Sequence, residues 1–249
     1  TVRWVVGIVL GVYIGTIVLL NIPNIQQAMS VFVAEELSEV LNTKVVIGRI
    51  NMGLLNRIII DDVLLDDQSG QEMLKVTRLS AKFDIMPFFK GKISISSVQL
   101  FGFNINLRKE TPDSPPNFKF VLDAFASKDT VKKENSLDLR INSILIRRGR
   151  MSYHVLSEEE TPGKFNAKHI QLQNIIANIS LKALSKDSLN LGIKRLSLDE
   201  KASGFSLKKM SLKLVANNKQ TNIDNFTIEL PETSLKLSLI HISEPTRPY

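Results

Sequence analysis

In the stretch Leu207-Lys208-Lys209-Met210-Ser211-Leu212-Lys213-Leu214 polar side chains separate the apolar ones, in strict alternation from Met210 onward, as in Lys92-Ile93-Ser94-Ile95-Ser96. Successive side chains of a strand point to opposite faces, so this pattern gives a sheet with one apolar face and one wet face, as antiparallel sheets have. Working outward, strand-like runs cover Lys44–Met52, Arg57–Leu65, Leu74–Ile85, Lys92–Arg108 and Leu137–Val155. They continue through Asn166–Leu184, Ser188–Leu198, Gly204–Val215 and Gln220–Leu230. Turns such as Asp66-Asp67-Gln68-Ser69-Gly70 and Glu160-Thr161-Pro162-Gly163 separate them. Residues 44–236 are therefore expected to form a single β-rich region. One short helix near 117–127, opening NFKFVLDAFA with Asn117 as its cap after Pro115-Pro116, interrupts it.

A short spacing recurs along this region: apolar, two residues, apolar, one residue, apolar. It reads Ile60/Val63/Leu65, Ile95/Val98/Leu100, Ile141/Ile144/Ile146, Ile193/Leu196/Leu198, Leu207/Met210/Leu212 and Ile223/Phe226/Ile228, with Ala167/Ile170/Leu172 a weaker copy. The irregular intervals between copies exclude a strict solenoid. The step of three before the step of two shifts the side-chain phase once, as a bulge or strand entry does. These residues are the candidate apolar face. The pattern alone fits a closed barrel or sandwich as well as a long curved sheet whose apolar face stays partly open as a groove.

Upstream the chain changes character. Asn24–Asn42 places Ile25, Ala28, Met29, Phe32, Val33, Leu37, Val40 and Leu41 at helical spacing between polar residues. The polar face is acidic and lacks the Lys and Arg of interfacial helices, so residues 23–43 are expected to pack on the β-structure rather than on a membrane. Before it, Trp4–Leu20 reads WVVGIVLGVYIGTIVLL without a charge, and Arg3 is the only charged side chain from Thr1 to Ala34. Extended to Ile22, this run makes about 29 Å of helix, close to a hydrocarbon core of about 30 Å. We read 4–22 as an uncleaved single-pass anchor in preference to a signal peptide or a buried core helix. Trp4 then lies at headgroup level, Leu20 marks the far end, and Arg3 puts the N-terminus in the cytoplasm. Gly7, Gly11 and Gly15 form a small-residue stripe, fitting either a helix–helix seam or ordinary membrane-helix composition.

Composition narrows the chemistry. Among the 249 residues, 32 Lys plus Arg against 25 Asp plus Glu give a net charge of +7. The absence of Cys excludes disulfides, thiolate metal sites and cysteine nucleophiles. Nucleophile-elbow, P-loop, dinucleotide-binding and zinc-protease motifs are missing, so no catalytic, cofactor-binding or metal residue is assigned and an enzyme is not expected. Asp61-Asp62 and Asp66-Asp67 are expected to end strands and form turns rather than hold a cation. His154 and His169 are read as ordinary strand residues without acidic partners nearby in sequence, and Glu158-Glu159-Glu160 as a solvated loop. The basic clusters Lys132-Lys133 and Arg147-Arg148-Gly149-Arg150 lack the interleaved aromatics of a nucleic-acid surface. They are expected as a solvated strand edge, with binding to anionic headgroups the next reading.

Taken in order, several segments carry a family likeness. These are Ile22-Pro23-Asn24-Ile25-Gln26-Gln27, then Leu37–Val45, then Val46-Ile47-Gly48-Arg49-Ile50 and Ile60–Asp67. Pro87-Phe88-Phe89-Lys90-Gly91-Lys92-Ile93, Ile95–Gly102 and Asn117-Phe118-Lys119-Phe120 follow. From Ile22 to about Ser127 the chain resembles the N-terminal part of TamB-like proteins in the AsmA-like group, in the style of Bacteroidota members. The resemblance implies an inner-membrane anchor followed by a periplasmic β-taco, a folded sheet with an apolar groove. It also implies phospholipid acyl chains as cargo and, in the full-length protein, an outer-membrane BamA/TamA-type barrel as partner. Such proteins serve lipid transport, outer-membrane biogenesis and protein secretion. A scaffold or binding module for outer-membrane protein translocation without lipid transport is the alternative. The family runs far beyond 249 residues and has no catalytic residues to carry over. Leu237–Arg247, LSLIHISEPTR, looks like a translated sequencing adapter, so 237–249 is left out of the expected fold.

Overall fold

The structure is a computed structural model that describes residues 2–53, 56–84, 95–126, 142–184, 188–217 and 220–243. Two helices, α1 (Val2–Leu20) and α2 (Pro23–Leu41), precede β1 (Val45–Gly53), β2 (Arg57–Asp66), β3 (Glu72–Phe83) and β4 (Ile95–Lys109). A third helix, α3 (Lys119–Ala126), leads to β5 (Ser143–Val155), β6 (His169–Leu184), β7 (Ser188–Glu200), β8 (Ser206–Asn217), β9 (Gln220–Glu229) and β10 (Ser234–Ser243). All ten strands form one open sheet whose spatial order repeats the chain order. Successive apolar-polar runs therefore become neighbouring strands, as short turns dictate everywhere but between β4 and β5.

The expectation of a wholly antiparallel sheet needs one correction. β5 lies parallel to β4, with Leu100 opposite Ile146. Parallel neighbours need a crossover of a dozen or more residues, and the link from 110 to 142, which carries α3, supplies it. A second correction concerns the tail. The fold does not stop at residue 236: β10 crosses that boundary, pairing Leu237 with Phe226 and Ile242 with Thr221. The alternation Leu235-Lys236-Leu237-Ser238-Leu239 continues the strand period, and this local signal is enough to seat a strand on a free edge.

The helices roof one end of the sheet. Pro23 occupies the first turn of α2, where its missing N–H costs nothing. Asn42 closes the helix in the left-handed conformation at φ 49°. Met29, Val33, Ala34 and Leu37 pack on buried Leu41, Val45, Ile47, Ile50, Leu65 and Met73, and Phe120, Val121 and Ala124 of α3 join them. This is the packing expected of the amphipathic helix. Asn21 ties the end of α1 to the sheet by donating through Nδ2 to the Met52 carbonyl at 3.0 Å. The predicted cap of α3 works differently: the Asn117 side chain bonds Arg108 N, Asn106 O and Asp67 Oδ2 instead of the helix's own N–H groups. Asn117 thus fastens the helix entry to β4.

Two further expectations change. Asp61-Asp62 does not end a strand but lies within β2, where Asp61 pairs with Arg78 at 2.6 Å and Asp62 has φ 56°. Asp66-Asp67 does end one, as expected. Arg147-Arg148-Gly149-Arg150 belongs to an interior strand, not an edge. Residues 86–94, Lys132-Lys133 and Ile141 lie outside the described residues.

Candidate functional site

Register brings the predicted apolar residues together. Cross-strand partners share a face of the sheet, and one row crosses every strand: Ile50, Ile60, Leu79, Leu100, Ile146, Ala177, Leu196, Met210, Ile228 and Leu235, each opposite the next. No polar residue interrupts it. Nine strand spacings of about 4.8 Å make the row about 43 Å long. Further along each strand, a second apolar row holds Ile58, Ala81, Val98, Ile144, Ile179, Ile193 and Leu212. On the other side of the first row Ile47, Val63, Val76 and Phe103 align, and Leu198 faces Leu207 across β7 and β8. Leu65 stands opposite Val45 and Leu74, Ile95 opposite Phe83, Ile223 opposite Leu214, and Phe226 opposite Leu237.

The intervening row on the opposite face is of another kind. It reads Asn51, Ile59, Ser80, Gln99, Leu145, Asn178 and Arg195. The sheet therefore has one continuous apolar face and one mixed, largely polar face. Val76, Phe103 and Ile175 form a buried cluster on the apolar face, with Val63, Leu100, Ile146 and Leu198 against them. Most other members of the rows remain half-buried, because α2 and α3 reach only the first strands.

The step of three in the recurring spacing has a structural cause. Between Ile60 and Val63, Asp62 takes the left-handed conformation at φ 56°, and Asn225 does the same at φ 52° between Ile223 and Phe226. Register shifts fall between Ile193 and Leu196, and between Leu196 and Leu198, whose partners Met210 and Leu207 stand three apart. Each returns the chain to the same face after one extra residue. Such positions line up across the sheet. The registers set Gly48 beside Asp62, Asp62 beside Thr77, and Thr77 beside Gly102 (φ 64°). Arg148 (φ 55°) and Asn174 (φ 54°) carry the line through β5 and β6. A Cβ at Gly102 would come within 2.7 Å of Thr77 Oγ1, and one at Gly149 within 2.4 Å of the Phe103 ring. Glycine is required at both places.

Two buried carboxylates shape the strand ends. Burial opposes ionisation of Glu200, but hydrogen bonds from Ser203 Oγ and from the N–H groups of Ser203, Ala202 and Gln171 outweigh it and lower its pKa to about 2. Asp67 after β2 works alike: burial again opposes ionisation, and Ser69, Asn117 and the Gln71 N–H overcome it and lower its pKa. Arg108 adds an ion pair at 2.6 Å.

At the predicted anchor, α1 exposes apolar side chains on all sides: Trp4 79%, Val5 59% and Leu10 57%. Leu20 is half-buried. Apart from the helix's own backbone and the adjoining residues, no atom of the described residues lies within 4 Å of the place a Cβ would take at Gly7, Gly11 or Gly15. Among the described residues no single helix is long and apolar enough to cross a membrane. Leu10–Leu20 and Pro23–Leu41 pass that test only as a pair, bent by 72°.

Sequence reading missed one cluster. His154 and His169 are cross-strand partners at the base of the β5–β6 hairpin, with Nδ1 atoms 3.0 Å apart. The loop returns Glu160 Oε1 to 3.7 Å from His154 Nδ1 and 4.0 Å from His169 Nδ1. Among the described residues this is the group that could hold a metal ion. The signal was present: the two histidines are equidistant from the Thr161-Pro162 turn centre, so folding the hairpin there pairs them. No family model matches the chain, and no curated protein matches it.

Proposed function

We propose that this chain is the N-terminal part of a TamB-like protein of the inner membrane that carries phospholipid acyl chains along an apolar β-groove towards the outer membrane. The observation that carries the reading is the row from Ile50 to Leu235, apolar at all ten strands of an open sheet. A half-open apolar face of this extent needs an apolar partner. Removing a methylene from water is worth about 0.8 kcal/mol. Successive rungs are chemically alike, so an acyl chain moving from strand to strand exchanges one apolar surface for another without re-entering water.

The line of irregular residues from Gly48 to Asn174 supports a groove rather than a flat sheet, since bulged strands bend and twist locally. We read it as the crease along which the sheet folds into the β-taco of the resemblance. α1 is apolar and exposed all round but, among the described residues, reaches spanning length only together with α2, across the 72° bend; on this reading 4–22 is still the single-pass anchor, with the N-terminus cytoplasmic and residues from 23 onward periplasmic. The roof of α2 and α3 closes the anchor-proximal end of the trough, so cargo enters beyond it.

Photo-crosslinking in cells tests the reading. A crosslinking residue at Leu196 or Ile228 is expected to capture lipid, and one at Gln99 or Asn178 on the opposite face is not. Equal capture from both faces, or none from the first pair, overturns it. A second reading rests on the edges. β1 and β10 do not pair with each other, so the sheet can accept a client strand by augmentation, as a scaffold for outer-membrane protein assembly. Crosslinks from β10 to barrel precursors, without lipid capture at Leu196, would favour it.

A further inference from the structure

We infer that His154, His169 and Glu160 bind a divalent transition-metal ion, with zinc the fitting case, and that the ion clamps the β5–β6 hairpin. The facing Nδ1 atoms are 3.0 Å apart. Two lone pairs do not approach so closely unless a proton or a cation lies between them. His169 is 7% exposed, and its Nε2 lies 2.9 Å from the Glu158 carbonyl oxygen. That carbonyl accepts, so Nε2 carries the proton and Nδ1 presents its lone pair to His154. A ring nitrogen donating to a backbone carbonyl while the other faces the ion is the usual outer support of a metal-bound histidine.

Distances agree with this assignment. Two ligands about 2.0–2.1 Å from a tetrahedral ion stand about 3.3–3.4 Å apart, so the imidazoles need separate by only a few tenths of an ångström. Glu160 Oε1, at 3.7 and 4.0 Å, must close by about half an ångström. It sits on an exposed turn that can move that far. Metal binding also requires the His154 proton to reside on Nε2, a change of tautomer with no change of charge. Two imidazoles and one carboxylate suit zinc better than calcium or magnesium, which prefer all-oxygen sites. Water completes the fourth position. The loop is already ordered around the cluster: Lys168 Nζ meets Glu158 Oε2 at 2.6 Å, and Asn166 Nδ2 donates to the Glu159 carbonyl at 3.1 Å. The ion adds Glu160 to the loop residues already tied to the hairpin base.

The test uses the full chain in detergent, freed of metal, titrated with zinc chloride against a chromophoric zinc indicator. One equivalent is expected at micromolar affinity or better, and cobalt(II) is expected to give the intense visible bands of tetrahedral coordination. Loss of an outer support costs about 10- to 100-fold in affinity, so His154→Ala, which removes a direct ligand, should weaken binding by about 100-fold or more and Glu160→Gln by at least about tenfold, while His241→Gln leaves it unchanged. Zinc should also slow tryptic cleavage after Lys164 in wild type but not in His154→Ala. Glu160 is exposed, so its variant keeps the hairpin and reports on binding even where a histidine variant fails to fold. No zinc bound by the wild type, or unchanged affinity in both Glu160→Gln and His154→Ala, overturns the proposal.

Discussion

The apolar row is one feature with two ends, and the ends differ. At β1 it is roofed: Ile50 is 4% exposed beneath α2 and belongs to a filled core with Val45, Ile47 and Leu65. At β10 it is bare: Leu235 is 49% exposed. The residue types are alike and the strand geometry is alike. What differs is whether this chain supplies the covering layer. An apolar residue stabilises a fold only when something covers it, so the same substitution should cost stability at one end and binding at the other.

The largest effect is therefore expected under the roof. Ile50→Ala or Leu65→Ala removes buried methylenes beneath α2 and should lower unfolding free energy by about 2–4 kcal/mol, read as a lower urea midpoint. A loss below about 1 kcal/mol would mean the helices do not seal that end, and the contrast with β10 would fail. At mid-sheet, Gly149→Ala should cost about 1–3 kcal/mol, because the Phe103 ring occupies the place its Cβ needs. Phe103→Leu in the same background should return part of that loss.

How much of this was legible follows from which signals are local. The spacing Ile60/Val63/Leu65 is plain in the amino-acid order, because one left-handed residue, Asp62, leaves a step of three between apolar neighbours. The strand order was legible in the same way, each strand being next to its predecessor. The parallel β4–β5 pair was not, since the 110–142 crossover leaves no mark on the alternation of either strand. The long row from Ile50 to Leu235 was half legible. Its members Ile60, Leu100 and Ile146 fall in the recurring spacing, but Leu79 and Ala177 join it only through register, which a sequence does not state. The roles of Asp67 and Glu200 were half legible: their partners Ser69, Gln71, Ala202 and Ser203 lie within four residues and mark turns, whereas Asn117, Arg108 and Gln171 are distant in the chain.

Those two carboxylates give a smaller, pH-dependent effect. Both pKa values are lowered in the folded state, Glu200 to about 2. Their stabilisation is thus complete above the ordinary carboxylate range, near about pH 4–4.5, and is lost as pH falls towards about 2. Stability measured by urea should decline across that window. Glu200→Gln should flatten the decline and Asp67→Asn should flatten it further. An unchanged slope in both variants would show that the strand ends after β2 and β7 are not held by these ions.

The smallest stability effect belongs to the bare end and is the most informative. Leu235→Ala should change unfolding free energy by less than about 0.5 kcal/mol, since half of its surface already meets solvent. Met210→Ala and Ile228→Ala, half-buried within the open stretch, should cost about 1 kcal/mol each, well below Ile50→Ala. Acyl-chain capture should rank the other way, falling most for Met210→Ala and Ile228→Ala and least for Ile50→Ala, whose side chain α2 already covers. If stability and capture instead fall in parallel along the row, the open end is core by another route, and its covering layer is protein rather than lipid.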